Sequence, residues 1–150
     1  MILRSRSHPG DPERGSMLVE TAFLLVLVVL PLFYLVATLG RLQAGAYAVS
    51  AAAREGSRTF VASVDDATGH AAAEVAASLV LDAHGFSSAD GGISLTCESS
   101  PCLTPGSTVQ THATVAVELP LVPDFLDGAL PTSITLSSTH VSPVDEFREQ

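Results

Sequence analysis

Glu20 stands inside the apolar run MLVETAFLLVLVVLPLFYLVATL, Met17 to Leu39, where a carboxylate is expensive unless it lies near an interface or meets a positive partner. The residues alone leave both readings open. Glu20 is only three residues into the run, so it can reach polar headgroups, or it can serve as the partner of a cation. Just upstream, Gly15 has no side chain, so a protease can close on the backbone there, and its flexibility lets the preceding residues be presented extended. Cutting after Gly15 would free the amine of Ser16, and Glu20 is the fifth residue counted from Ser16 inclusive. A carboxylate in a low-dielectric setting gains most from such an opposite charge, with more effect on specificity than on stability.

Cys97 and Cys102 form the second candidate, at the two ends of CESSPC. A disulfide across this loop would fit an oxidising compartment and, the loop being short, would add only a few kcal/mol. A metal centre would need two more ligands. His112 and His140 on predicted strands are available, but the spacing matches no familiar zinc arrangement. Redox-active pairs normally read CxxC at a helix start, which this is not. The remaining catalytic inventory is thin: no Lys, no Trp, no phosphate-cradling glycine loop, no G-x-S-x-G and no H-E-x-x-H. His8, His70, His84, His112 and His140 are scattered. The expectation is therefore no enzyme, no metal and no cofactor.

The elements that must position these residues follow from hydropathy. Of the 23 residues from Met17 to Leu39, 19 are apolar, and as a helix they would extend about 35 Å, enough to cross a hydrocarbon core of about 30 Å. A chain of 150 residues cannot surround a helix that is apolar on every face, so the run predicts a membrane helix. Pro31 would loosen one turn, a kink that membrane helices tolerate. A secretory signal peptide is the competitor; the run exceeds the usual h-region and Arg41 follows it, though Ala44-Gly45-Ala46 keeps a cleavage site open. The first fifteen residues, with Pro9, Gly10 and Pro12, read as an unstructured leader.

Beyond the span, Gly40 to Val64 keeps a helical composition rich in small residues. It reads either as a helix–helix contact surface or as a plain extension whose Arg54, Glu55 and Arg58 form a solvated face. Asp65 or Asp66 caps a second helix, Ala67 to His84, ended by Gly85 and predicted to bury Ala72, Val75, Ala76, Leu79 and Ala83. Strands are predicted over Ile93–Glu98, Thr108–Leu119 and Ser133–Val141. In the second, Val109, Thr111, Ala113, Val115, Val117 and Leu119 alternate with polar or small residues, as a half-buried strand requires. Leu121 to Pro131 is a predicted loop whose Phe125 and Leu126 fold back on the core. The fold class expected is α+β: a membrane helix continuing into an Ala-rich helix, a second amphipathic helix, and an antiparallel sheet of three to four strands.

The glycine, the serine and the fifth-position glutamate before an apolar helix resemble a type IV prepilin-like signal. RGSMLVETAFLLVLVVLPLFYLVATLGRLQ, Arg14 to Gln43, resembles the TadE-like family of tight-adherence pilus proteins, and Ala51-Ala52-Ala53-Arg54-Glu55-Gly56-Ser57-Arg58 resembles the A-A-R-E-G-A-R block that follows the helix in that family. Thr114–Leu121 and Ile134–Thr139 resemble its closing strands. Thr21 departs from the family's Phe and Ser57 from its Ala. The resemblance implies cleavage by a prepilin peptidase between Gly15 and Ser16, and subunit assembly through Glu20 paired with an N-terminal amine. It also implies a contact role for Arg54, Glu55, Gly56 and Arg58.

Arg4, Arg6 and Arg14 precede the span and Arg41, Arg54 and Arg58 follow it, so the positive-inside count is a tie. The rest is not symmetric. Residues 40–150 hold four Arg and 13 acids, hence 4 − 13 = −9, while the first sixteen carry three Arg and two acids, +1. This balance argues against nucleic acid as a partner. With the cysteine pair it predicts a cytoplasmic leader, 1–15, a transmembrane helix, 16–39, and an extracytoplasmic domain, 40–150. The expected partners are the bilayer, the peptidase, other pilin-like subunits and the tight-adherence membrane machinery. Two alternatives are an uncleaved, anchored binding domain and a secreted enzyme released after about Ala46.

Overall fold

The computed structural model describes residues 12–120 and 132–148, with side chains in the first helix from 17 onward. The elements are α1 (Pro12–Val61), α2 (Asp66–Ala83), β1 (Gly91–Cys97), β2 (Thr108–Glu118) and β3 (Ser133–Pro143). The strands form one antiparallel sheet in the order β1-β2-β3, three among the described residues, giving the α+β class expected. The chain divides between Val36 and Ala37 into two units.

In the first unit α1 is the element described. It starts at Pro12, so the expectation of an unstructured chain through residue 15 is corrected for 12–15. Proline suits the first helical position, where its missing N–H would have had no intrahelical acceptor and its fixed φ is already helical. Pro31 lies inside α1 without ending it.

In the second unit α1 buries Gly45, Ala48, Val49, Ala52, Ala53, Gly56, Ser57 and Phe60, spaced by alternating threes and ones along one helix face. All but Val49 and Phe60 are very small. A methyl group on Gly45 would stand 2.6 Å from Val117 Cγ2, and one on Gly56 would stand 2.8 Å from Ile93 Cδ1. The helix backbone itself therefore lies against the sheet.

Both ends of α2 are set locally. Asp65, in extended conformation, accepts from the Thr68 N–H (2.9 Å) and the Thr68 hydroxyl (2.8 Å). At the other end Gly85 has φ +80° and donates to Asp82 O (2.9 Å), while the Phe86 N–H reaches Leu81 O (3.0 Å). Phe86 and Leu81 are both buried, so the cap also fixes an apolar contact. The predicted stripe is wrong, however. The buried series is Gly69, Ala73, Ala77 and Leu81, whereas Val75 is 60% and Leu79 is 64% exposed. Close approach decides the face: a methyl group on Gly69 would lie 3.0 Å from the Phe60 ring, and Ala73 and Ala77 let α2 lie near Gly56.

The β2 alternation is as expected: Val109, Thr111, Ala113, Val115 and Val117 are buried, Gln110, His112 and Glu118 exposed. One core cluster joins Ala48, Val49, Ala52 and Ala53 of α1 to Ala77, Leu81, Phe86, Val115 and Val117; another holds Phe60, Ala73, Leu103, Val109 and Val144. β1 begins two residues before the predicted Ile93, and β3 runs two beyond Val141. Phe125 and Leu126 lie outside the described residues.

Candidate functional site

Three regions carry the residues singled out by sequence. The first is the start of α1. The backbone of Gly15 and Ser16 is already helical, and Glu20 follows Ser16 by four positions, which places the two on one face, about 6 Å apart along the axis. Glu20 is exposed, as are the apolar side chains around it, from Leu18 at 74% to Val29 at 48%. Thr21 folds its hydroxyl back onto Met17 O (2.8 Å), which hides one polar group within the helix. One helix near the N-terminus, Met17–Val61, is long and apolar enough to cross a membrane, and its most apolar stretch is wholly unburied.

The second region is the Ala51–Arg58 block, and the structure splits it. Gly56 and Ser57 turn inward, Gly56 towards Ile93 and Ala77, and Ser57 through a hydroxyl contact with Ser142. Arg54 and Arg58 turn outward, and Glu55 is half-buried. Arg54 Nε donates to Ser50 O (3.2 Å) within its own helix.

The third region surrounds the cysteines. Cys97 and Cys102 form a disulfide, with Cα atoms 5.1 Å apart. The bridge engages both sulfurs, so the alternative of a metal centre with His112 and His140 loses its thiolates. His112 Nδ1 instead lies 3.0 Å from the Thr139 hydroxyl. Asp66, read from the sequence only as an alternative helix cap, and Arg148, which sequence reasoning passed over, organise this corner. The Asp66 carboxylate accepts from the N–H groups of Cys102 (2.9 Å) and Leu103 (3.2 Å), tying the bridge to the first turn of α2. Arg148 donates to Val61 O (2.9 Å), Val64 O (2.8 Å) and Ser63 O, where the end of α1 leaves carbonyls without helical donors. No local signal marks Arg148, since its acceptors lie 84 to 87 positions away.

Among the described residues, three carboxyl groups sit below their ordinary range. The Thr68 backbone N–H, then its hydroxyl, lowers Asp65; the Ser87 backbone N–H and hydroxyl lower Asp90, with Arg41 adding attraction; the Thr108 hydroxyl and N–H lower Glu98. Arg41 also lies over the Phe86 ring, 5.0 Å from its centroid. Between α2 and β1 a groove of about 370 Å³ is lined by Glu74, Val75, Ser78, Leu81 and Ile93 among others.

An N-terminal hydrophobic helix whose C-terminal half packs on a small antiparallel sheet is a pilin-like architecture. No family model, curated protein or solved structure matches the chain.

Proposed function

We propose that this chain is a single-pass, pilin-like membrane protein of the TadE-like kind, acting as a minor subunit or assembly factor of a tight-adherence-type pilus or secretion system. A prepilin peptidase cuts between Gly15 and Ser16. The observation that carries the reading is the placement of Gly15, Ser16 and Glu20 at the head of one helix whose exposed apolar surface continues into a packed α+β head. Cleavage leaves the Ser16 amine one helical turn from the Glu20 carboxylate, and in the apolar interior that charge can be matched within the subunit or by a neighbour's amine. The role is structural rather than catalytic. The acidic balance of residues 40–150 and the Cys97–Cys102 bridge support a head outside the cytoplasm.

A second reading, an anchored extracytoplasmic binding domain that is never cleaved, draws support from the helical backbone of Gly15 and Ser16, because proteases take their substrates extended. Glu20→Ala separates the two in the native host. The first reading predicts normal membrane levels with loss of photo-cross-links from the span to neighbouring pilin-like subunits. Unchanged cross-linking, or none from the wild-type protein, contradicts it.

A further inference from the structure

The sheet ends in two edges, and among the described residues neither β1 nor β3 has a second strand beside it. The ladder gives each edge a definite set of outward groups. Asp90 O accepts from the Ala116 N–H (2.7 Å) and the Glu98 N–H reaches Thr108 O (3.1 Å), so Gly91, Ile93, Leu95 and Cys97 turn their N–H and C=O groups away from β2. In the same way the Leu119 N–H reaches Thr132 O (2.9 Å) and the Val144 N–H reaches Ser107 O (2.8 Å), which turns those of Ser133, Thr135, Ser137, Thr139 and Val141 outward. Natural sheets guard such edges with charged residues or with proline. Here Pro143 stands only at the last position of β3, and none of the chain's 16 acidic or 7 basic residues lies on either strand.

Both edges are also incomplete on the core side. The groove of about 370 Å³ is walled by Glu74, Ser78 and Leu81 of α2 and by Gly91, Gly92 and Ile93 of β1, with no residue of α1 or β2 in its lining, so it lies on the free side of β1. Gly91 and Gly92 put no side chain into it. On β3, Ile134 and Leu136 pair with the buried Val117 and Val115, yet Ile134 is 37% exposed and Leu136 is half-buried.

Direction decides which edges can meet. Gly45 lies against Leu136 and Ser57 contacts Ser142, so β3 runs the same way as α1; β1 is antiparallel to β2, as β3 is, and therefore runs that way too. Copies held by α1 in one membrane thus present β1 and β3 pointing the same way. A parallel ladder joins the outward groups of one residue to those of the two residues flanking its opposite number, so it needs outward sets on opposite faces. The outward set of β1 includes Ile93 and Leu95 of the core face, and that of β3 includes the exposed Ser137 and Thr139.

We infer that β3 of one copy adds in parallel to the free edge of β1 in a second copy of this chain, so that the two sheets become one. At equal depth in the membrane, Leu136 of the added strand stands beside Gly91, where it fills the groove, and Ser138 stands beside Ile93. The Ile93 N–H then donates to Ser137 O of the added strand, and the Ser137 N–H donates to Gly91 O. The two edges differ, so the contact is heterologous and repeats from copy to copy. The inference rests on the membrane-anchored, pilin-like reading and names the neighbouring subunit as another copy.

In membranes of the native host, a Ser94→Cys chain with one tag is co-expressed with a Thr139→Cys chain bearing another, and both are oxidised. Both positions are exposed on the outer face, and the chain has no free cysteine of its own. A mixed-tag disulfide dimer is expected. Moving the second cysteine to Ser133, about 20 Å back along the strand, should lower its yield at least tenfold. Ser137→Pro in the Thr139→Cys chain removes an outward N–H and leaves the ladder to β2 intact, so it should lower the yield about tenfold, whereas Ser137→Ala should not. The unfolding midpoint of the proline chain is measured alongside, and the two cysteine positions decide the matter if it shifts. No mixed dimer, equal yields from the two cysteine positions, dimers of a single tag only, or a yield indifferent to the proline overturns the contact. The N-terminus of the same samples is read in parallel. A chain starting at Ser16 without a mixed dimer removes the contact and leaves the pilin-like reading; a mixed dimer of chains still bearing the leader does the reverse.

Discussion

Arg148 shows how much a single side chain can hold in place. Its guanidinium meets the carbonyls of Val61, Ser63 and Val64, so Arg148→Ala should lower the stability of the second unit by about 1–2 kcal/mol, read by denaturant unfolding of the full chain in detergent. Arg148→Lys should recover little, because one ammonium cannot span three acceptors as a fork does. Asp65, Asp90 and Glu98 give a pH prediction. Their folded pKa values are depressed, so their contribution is complete above the ordinary carboxylate range and is lost as pH falls through the lower folded values. Stability should thus decline below about pH 5, and Asp65→Asn, which still accepts from Thr68, should flatten part of that decline. At this scale legibility depended on range. Asp65 and Gly85 act on residues within a few positions and were readable as caps, whereas Asp66 and Arg148 find partners 36 or more positions away.

Among the elements, α1 is the one whose composition has a packing cost attached. At Gly45 an added methyl meets the stiff Val117 at 2.6 Å and Leu136 at 3.0 Å, so Gly45→Ala should destabilise by about 1–2 kcal/mol despite the better helix propensity of Ala. Gly56→Ala meets the movable end of Ile93, and the helix gain offsets the shift to within about 0.5 kcal/mol. The ranking of the two variants is the check. Replacing Cys97 and Cys102 together by Ser opens a loop of only a few residues and should cost about 2 kcal/mol, measured by the same unfolding curve. β2 was legible because its period of two contrasts Val with Gln, His and Glu. The face of α2 was not, because in a helix so rich in Ala hydrophobicity differs little between faces, and the smallness of Gly69, Ala73 and Ala77 chose the buried one.

For the whole molecule, the uneven distribution of hydropathy is what makes sense of the rest. The chain is 47% hydrophobic, yet the apolar excess lies in Met17–Leu39, unburied, and the described residues beyond it fold as an acidic α+β unit whose core sets small helix residues against Phe60, Leu81, Phe86 and the valines of β2. That division was readable from length and composition. The helical backbone across Gly15 and Ser16 was not, since it depends on Pro12 starting the helix that the apolar run then continues. Under the proposed cleavage after Gly15, a peptidase would have to open that first turn, and a glycine there would keep the opening cheap. The most direct test is the intact mass and N-terminal sequence of the protein isolated from its own host. The account predicts a chain beginning at Ser16, with the leader retained when Gly15 is replaced by a bulky residue or the peptidase is deleted. A chain that keeps its first residues in the unaltered host, or one that begins near Tyr47, would contradict it.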